Sequence, residues 1–248
     1  NPSEQGHLYR SLTFGDLVEL TMMDLRTYRD EQVRFGPHKM AAEGRTMLGS
    51  EQYQWLLNKI ETSSAKWNML GNSVMFSPMN LVTLEKDEKT KPVSSSLSSN
   101  ITGIPVNGDQ WDGYSAERRL LIDALSKHDS HTLFVTGDIH SEWAHNISKD
   151  GRIFGAEMVC ASVSAPNVNE QLKLPEGNEL SKLAQRYLLG ANPHTRHVDL
   201  DHHGYSFVTV RPDSAKMHWL RVDNLLTAKS PVREAVTLTW RPDKGYDK

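Results

Sequence analysis

Cysteine is nearly absent: Cys160 is the single one in 248 residues. One thiol excludes an internal disulfide framework and any zinc cluster assembled from cysteines. No apolar run approaches the ~18–20 residues that a bilayer-spanning helix needs. Asn1-Pro2-Ser3 opens onto polar sequence rather than the apolar segment of a signal peptide. Neither charge sign dominates: the formal net charge is −3, so nothing electrostatic favours a nucleic-acid or polyanionic partner. Three catalytic signatures are missing as well: the Gly-x-Ser-x-Gly elbow of serine hydrolases, the Gly-x-x-x-x-Gly-Lys-Ser/Thr phosphate loop and the His-Glu-x-x-His zinc helix. Cys160 sits inside an apolar run and reads as core filler, not as a nucleophile.

What is present is an alternation of helix and strand patterns. Residues 1–11 read as an exposed lead-in, and Phe14–Leu25 as a strand or pair of strands feeding a polar loop. Residues 30–48 carry Gly36, Pro37 and Gly44 without a sustained period and read as surface loop. Ser50 starts a helix with Tyr53, Leu56, Leu57 and Ile60 on one face, ended by Ser63-Ser64. Trp67–Phe76 reads as a buried strand closed by Pro78, and the polar, serine-rich stretch 84–110 as an excursion rather than a domain linker. A second helix comes after Trp111-Asp112-Gly113-Tyr114, with Ala116, Leu120, Leu121, Ala124 and Leu125 as its apolar face. Leu133–Val135 and Phe154–Val163 are strand candidates; Leu180, Leu183, Ala184, Tyr187 and Leu188 mark a third helix stopped by Gly190. Tyr205–Arg211, Ala215–Val222 and Ala235–Trp240 alternate like antiparallel strands, the first two joined by a Pro212-Asp213-Ser214 turn. The order predicts an α/β sandwich with an antiparallel flank.

Three clusters compete for the chemistry. In the first, Leu133-Phe134-Val135 runs into Gly137, and Asp138 and His140 stand two apart just past the carboxyl end of the strand, where open α/β sheets place ligands. A carboxylate and an imidazole leaving one turn suit a hard or borderline metal ion. Glu142, Trp143 and His145 then lie on the next helix or loop as outer groups. The alternative is that Asp138 caps that helix and His140 is an ordinary surface residue. In the second cluster Asn192-Pro193-His194 precedes Asp199, Asp201, His202 and His203, but neighbouring histidines on a strand point to opposite sides. In the third, Trp111-Asp112-Gly113-Tyr114 either packs as a capped turn or holds substrate. Arg26/Arg29 and Arg118/Arg119 either grip a phosphate bidentately or pair with acids of the protein.

Leu8-Tyr9-Arg10-Ser11, Phe14-Gly15-Asp16-Leu17-Val18-Glu19-Leu20, Asp24-Leu25-Arg26-Thr27-Tyr28-Arg29, Met47-Leu48-Gly49-Ser50-Glu51-Gln52, Trp111-Asp112-Gly113-Tyr114, Thr136-Gly137-Asp138-Ile139-His140-Ser141 and Asn192-Pro193-His194 together resemble, in order, the PhoD-like alkaline phosphatases, a secreted metallophosphoesterase family. The resemblance implies a calcineurin-like four-layer αββα sandwich, with residues 1–248 as the carboxyl-terminal part of one catalytic domain. It also implies an iron and calcium centre that hydrolyses phosphate monoesters and diesters through a metal-activated hydroxide, with phospholipase D-type activity in some relatives. Asp138 and His140 would be catalytic metal ligands; Arg26, Trp111, Asp112 and Tyr114 would hold substrate. Secretion or a periplasmic location is implied with it.

The same resemblance puts the remaining ligands, a cysteine, an Asp-x-x-Tyr pair and an asparagine, in an amino-terminal half. That half is expected as a separate chain or a missing segment, because no such set precedes Gly137; Asp24 and Tyr28 come nearest but with the wrong spacing. Two ligands fall short of the usual four to six. The second reading is therefore a non-catalytic module that keeps the fold without a complete metal centre, and the third an independent metal-binding surface at residues 199–203.

Overall fold

The computed structural model describes residues 6–33, 36–83, 103–105 and 107–247. In chain order these form β1 (Arg10–Phe14), β2 (Val18–Met22), α1 (Pro37–Met40), α2 (Gly49–Thr62), β3 (Trp67–Asn72), β4 (Asn80–Thr83) and β5 (Gly103–Pro105). A 3-10 turn (Trp111–Tyr114) leads into α3 (Ser115–Leu125), then β6 (His131–Thr136), β7 (Glu142–Lys149), β8 (Arg152–Val159), α4 (Val168–Gln171) and α5 (Glu179–Ala191). Five strands complete the order: β9 (Thr195–Asp199), β10 (Gly204–Arg211), β11 (Ser214–Val222), β12 (Val232–Arg241) and β13 (Gly245–Tyr246).

The main sheet has the order β1-β2-β3-β6-β8-β7-β9, and β10 to β13 make a second, antiparallel sheet in sequence order. β2, β3, β6 and β8 are mutually parallel, so their carboxyl ends share one edge of the molecule. Parallel strands covered on both faces need apolar side chains in both directions, and β6 supplies them. Leu133 joins Trp67, Ala156, Met217, Trp219 and Trp240 between the two sheets. Phe134 joins Leu56 and Ile60 of α2 and Leu121 and Leu125 of α3 on the opposite side. α5 packs Leu188 against Trp143, Val159 and Val198. The described residues thus build a helix–sheet–sheet stack, three layers of the expected four.

Several local expectations are revised. Of the expected lead-in, residues 1–5 lie outside the described residues; Gly6, Leu8 and Arg10 are exposed, but Tyr9 is buried and β1 begins at Arg10. Residues 30–48 are not simply surface loop: Met47 and Leu48 are fully buried, and the Glu117 carboxylate on α3 accepts from both of their backbone N–H groups. β3 stops at Asn72 and β8 at Val159, short of the expected Phe76 and Val163. Leu120 is exposed, and α5 runs through Gly190 to Ala191. Of its apolar residues, Leu180, Leu183 and Tyr187 face solvent. Residues 84–102 of the polar excursion lie outside the described residues, while Gly103–Pro105 pairs with β4.

Trp219 closes the space between the sheets. It is fully buried, and its indole N–H donates to the Val159 carbonyl at 2.9 Å. Trp219→Ala should cost about 3–5 kcal/mol, read as a lowered urea midpoint; a near-unchanged midpoint contradicts this account of the core. His194 and His145 lie with ring centroids 5.3 Å apart. Burial, helped by Arg118 and Arg196, pushes His194 down to about 4 from 6.5, and burial holds His145 well below its ordinary value. The unfolded chain takes up these protons first, so the folded state should lose stability as pH falls from about 6.5 towards about 4. His194→Gln, which keeps an N–H donor, should flatten that part of the profile in urea unfolding; an identical slope argues against it.

Candidate metal and phosphate site

β6 ends at Thr136, and the chain then reverses within four residues. The Ile139 N–H donates to the Gly137 carbonyl at 3.0 Å with Asp138 at φ 74°, the pattern of a γ-turn. His140 is also left-handed, at φ 52°. Such backbone costs on the order of 1–3 kcal/mol per residue and persists only where its surroundings enforce it. The two residues singled out for metal ligation are thus the two that carry the strain. The turn leads into a strand and not a helix, since β7 begins at Glu142. Asp138 therefore has no helix to cap, and Trp143 and His145 are interior strand residues.

The His140 ring is oriented by its backbone surroundings. Its Nδ1 lies 3.0 Å from the Pro166 carbonyl, and a carbonyl only accepts, so Nδ1 carries the proton. Nε2 then presents its lone pair, with no partner among the described residues. This is the arrangement in which a carbonyl behind the ring fixes the tautomer of a metal-binding histidine. Asp138 is 35% exposed and receives Arg26 Nη2 at 2.9 Å. Arg26 Nη1 is in turn held at 2.8 Å by both carboxylate oxygens of Asp109, and Arg29 reaches the same carboxylate at 2.9 Å. Burial works against charge on Asp109, but the hydrogen bonds from Arg26 and Arg29 outweigh it and lower its pKa. Asp109 has no pattern around it in the sequence and was not foreseen.

Beside this turn a cavity of about 330 Å³ opens at the carboxyl ends of the parallel strands, lined by Met22, Asn72, Thr136, Gly137, Met158 and Cys160 among others. Cys160 therefore borders the cavity rather than filling core, and burial raises its thiol pKa. Three of the four residues expected at substrate are elsewhere. Trp111, Asp112 and Tyr114 are buried; Asp112 takes Arg118 at 2.6 Å, and the Tyr114 hydroxyl donates to the Asp30 carbonyl at 2.7 Å. Arg26 alone is at the turn. Of the other pair, Arg118 serves Asp112 while Arg119 meets the exposed Glu43.

The second cluster is closed to a cation by an arginine. Arg221 Nη2 lies 2.7 Å from Glu142 and 3.1 Å from Asp199, filling the place between the two carboxylates. His202 turns to Asp199 and Glu176, whereas His203 turns the other way to Glu170 and the Ser162 carbonyl. Among the described residues, no three His, Cys, Asp or Glu side chains come together to hold a metal.

The profile of the PhoD-like phosphatase family matches residues 1–219. Alkaline phosphatase D of Bacillus subtilis (strain 168) is 33% identical over 221 residues, covering 84% of this chain and 33% of that protein. A solved structure of PhoD aligns with a TM-score of 0.77 at 26% identity, over 98% of this chain and 44% of that one. The chain spans about a third of the length of the curated relative it matches. With Asp138 and His140 standing together at the end of β6, these matches give one assignment: the chain belongs to the PhoD-like phosphatase family.

Proposed function

We propose that this chain is the carboxyl-terminal part of a calcineurin-like, metal-dependent hydrolase of phosphate monoesters and diesters, and that Asp138 and His140 are its share of the metal site. The observation that carries the reading is the His140 ring, turned by the Pro166 carbonyl so that Nε2 is free beside a strained aspartate. The donor set fits hard or borderline cations, and the family resemblance points to iron and calcium. Such ions polarise phosphoryl oxygens and lower the pKa of a coordinated water.

The chain's own residues do the rest. The Asp138 carboxylate and His140 Nε2 approach from one turn. Arg26 and Arg29, aimed by Asp109, place positive charge beside that turn, where a phosphate oxygen can take the bond that Arg26 Nη2 makes to Asp138. The methionine-lined cavity suits the organic part of the ester. Phospholipase D-type substrates are compatible with it. Trp111, Asp112 and Tyr114 act from within the protein, not on substrate.

Two ligands cannot complete a coordination shell, so the remaining ones come from an amino-terminal polypeptide that accompanies these residues. Without it the chain is a non-catalytic module. Secretion or a periplasmic location belongs to the same proposal.

Asp138→Asn and His140→Asn, made in the protein with its accompanying polypeptide, should lose bound metal. Turnover of p-nitrophenyl phosphate should fall by at least the ~10–100-fold typical of losing a group that merely orients a ligand. Elemental analysis and single-turnover rates check this; full metal content in both variants defeats the ligand assignment. Arg26→Ala should raise KM more than it lowers kcat while leaving metal content intact. Metal loss in that variant would instead make Arg26 a support for the centre.

A further inference from the structure

Between Val74 and Asn80 the backbone has almost no regular structure, yet its polar groups are taken one after another by buried and half-buried side chains. Glu157 accepts from the N–H groups of Phe76 at 2.7 Å and Ser77 at 2.8 Å. Arg118 donates to the Phe76 carbonyl and His194 to the Pro78 carbonyl. Asp112 accepts from the Met79 N–H, and Asn192 bonds both the N–H and the carbonyl of Asn80. The motif residues that do not reach the cavity therefore converge on one segment, the continuation of β3.

That segment is linked to the candidate site by a one-way series of hydrogen bonds. The Trp111 indole donates to Asn72 Oδ1 at 3.0 Å, Asn72 Nδ2 donates to the Thr136 hydroxyl at 3.1 Å, and that hydroxyl donates to Glu157 Oε1 at 2.8 Å. An indole only donates and a carboxylate only accepts, so the two ends dictate the orientation of each group between them. All four residues are buried. Thr136 is the last residue of β6, two before Asp138.

We propose that Thr136 and Glu157 are positioning residues for the Asp138–His140 turn, fixing the end of β6 against the 76–77 segment so that both ligands face the metal centre. A left-handed turn relaxes unless its root is held, and the Thr136 hydroxyl is the tie between that root and Glu157. The inference rests on the metal-ligand reading above.

Thr136→Val keeps the shape and removes the hydroxyl; Thr136→Ser restores it. In the metal-loaded protein, calcium and iron retained across a chelator titration should be about ten- to a hundredfold more easily lost in the valine variant and near the unsubstituted level in the serine variant. Circular dichroism reports whether each is folded. Should the valine variant not fold, Trp111→Phe removes only the first donor, and metal should again be lost more easily. Unchanged retention in a folded Thr136→Val or Trp111→Phe protein, or equal impairment by serine and valine, overturns the inference. His140→Asn separates the two claims: metal lost there but kept in Thr136→Val defeats positioning alone, whereas metal kept in His140→Asn, or no metal in the unsubstituted protein, defeats the ligand reading and the positioning with it.

Discussion

A carboxylate removed from water must be given donors by the protein or it cannot stay charged there. This requirement organises the edge of the molecule where the parallel strands end. Glu157 gathers the segment after β3 and the end of β6. Glu117 gathers Thr46, Met47 and Leu48 ahead of α2. Asp112 takes Arg118 and the Met79 N–H. Burial dominates these three and raises their pKa values despite the donors. Glu142 differs: His197 and Arg221 outweigh its burial and keep its pKa low. Glu157, Glu117 and Asp112 each fix irregular backbone that neither sheet nor helix bonding would hold, whereas Glu142 joins side chains only.

The rigidity so obtained is selective. On the helix side of the sheet, the ends of β3 and β6 are bound through Asn72, Thr136 and Glu157. On the other side lies the cavity, bordered by Met22, Met158 and Ser206, where the two sheets diverge. The turn at 137–140 sits between a bonded wall and an open one. Arg26 and Arg29 cross from the loop after β2 to the same place and meet at Asp109. Charged side chains and left-handed backbone meet there, beside a scaffold whose core is apolar.

Regular elements were legible because their periods are. The apolar face of α2 and the alternation of β10 to β12 follow directly from residue spacing. The abrupt Val135-Thr136-Gly137-Asp138 boundary marked the turn after β6. α5 shows the limit of periodicity: it has two apolar stripes, and spacing cannot say that Ala184 and Leu188 rather than Leu180, Leu183 and Tyr187 meet the sheet. Single buried acids were illegible for another reason. Glu157 and Glu117 look like solvent-facing residues until the distant backbone they satisfy is known. Asp112 and His194 stood out by type, but only the fold shows that they serve Met79 and Pro78 rather than the cavity, and that Trp111 serves Asn72.

The shape of the backbone at 137–140 also limits which side chains can occupy it. Positive φ is unfavourable for side chains in general but several-fold less so for Asp, Asn and His. Of the residues that bind hard or borderline cations, glutamate has no such tolerance, although its chemistry matches that of aspartate. The dihedral angles of Asp138 and His140 therefore act as a filter on composition. A change of ligand type at this turn would require the chain to be re-bent first, which makes the pair hard to exchange by single substitutions even where a different cation would be served as well.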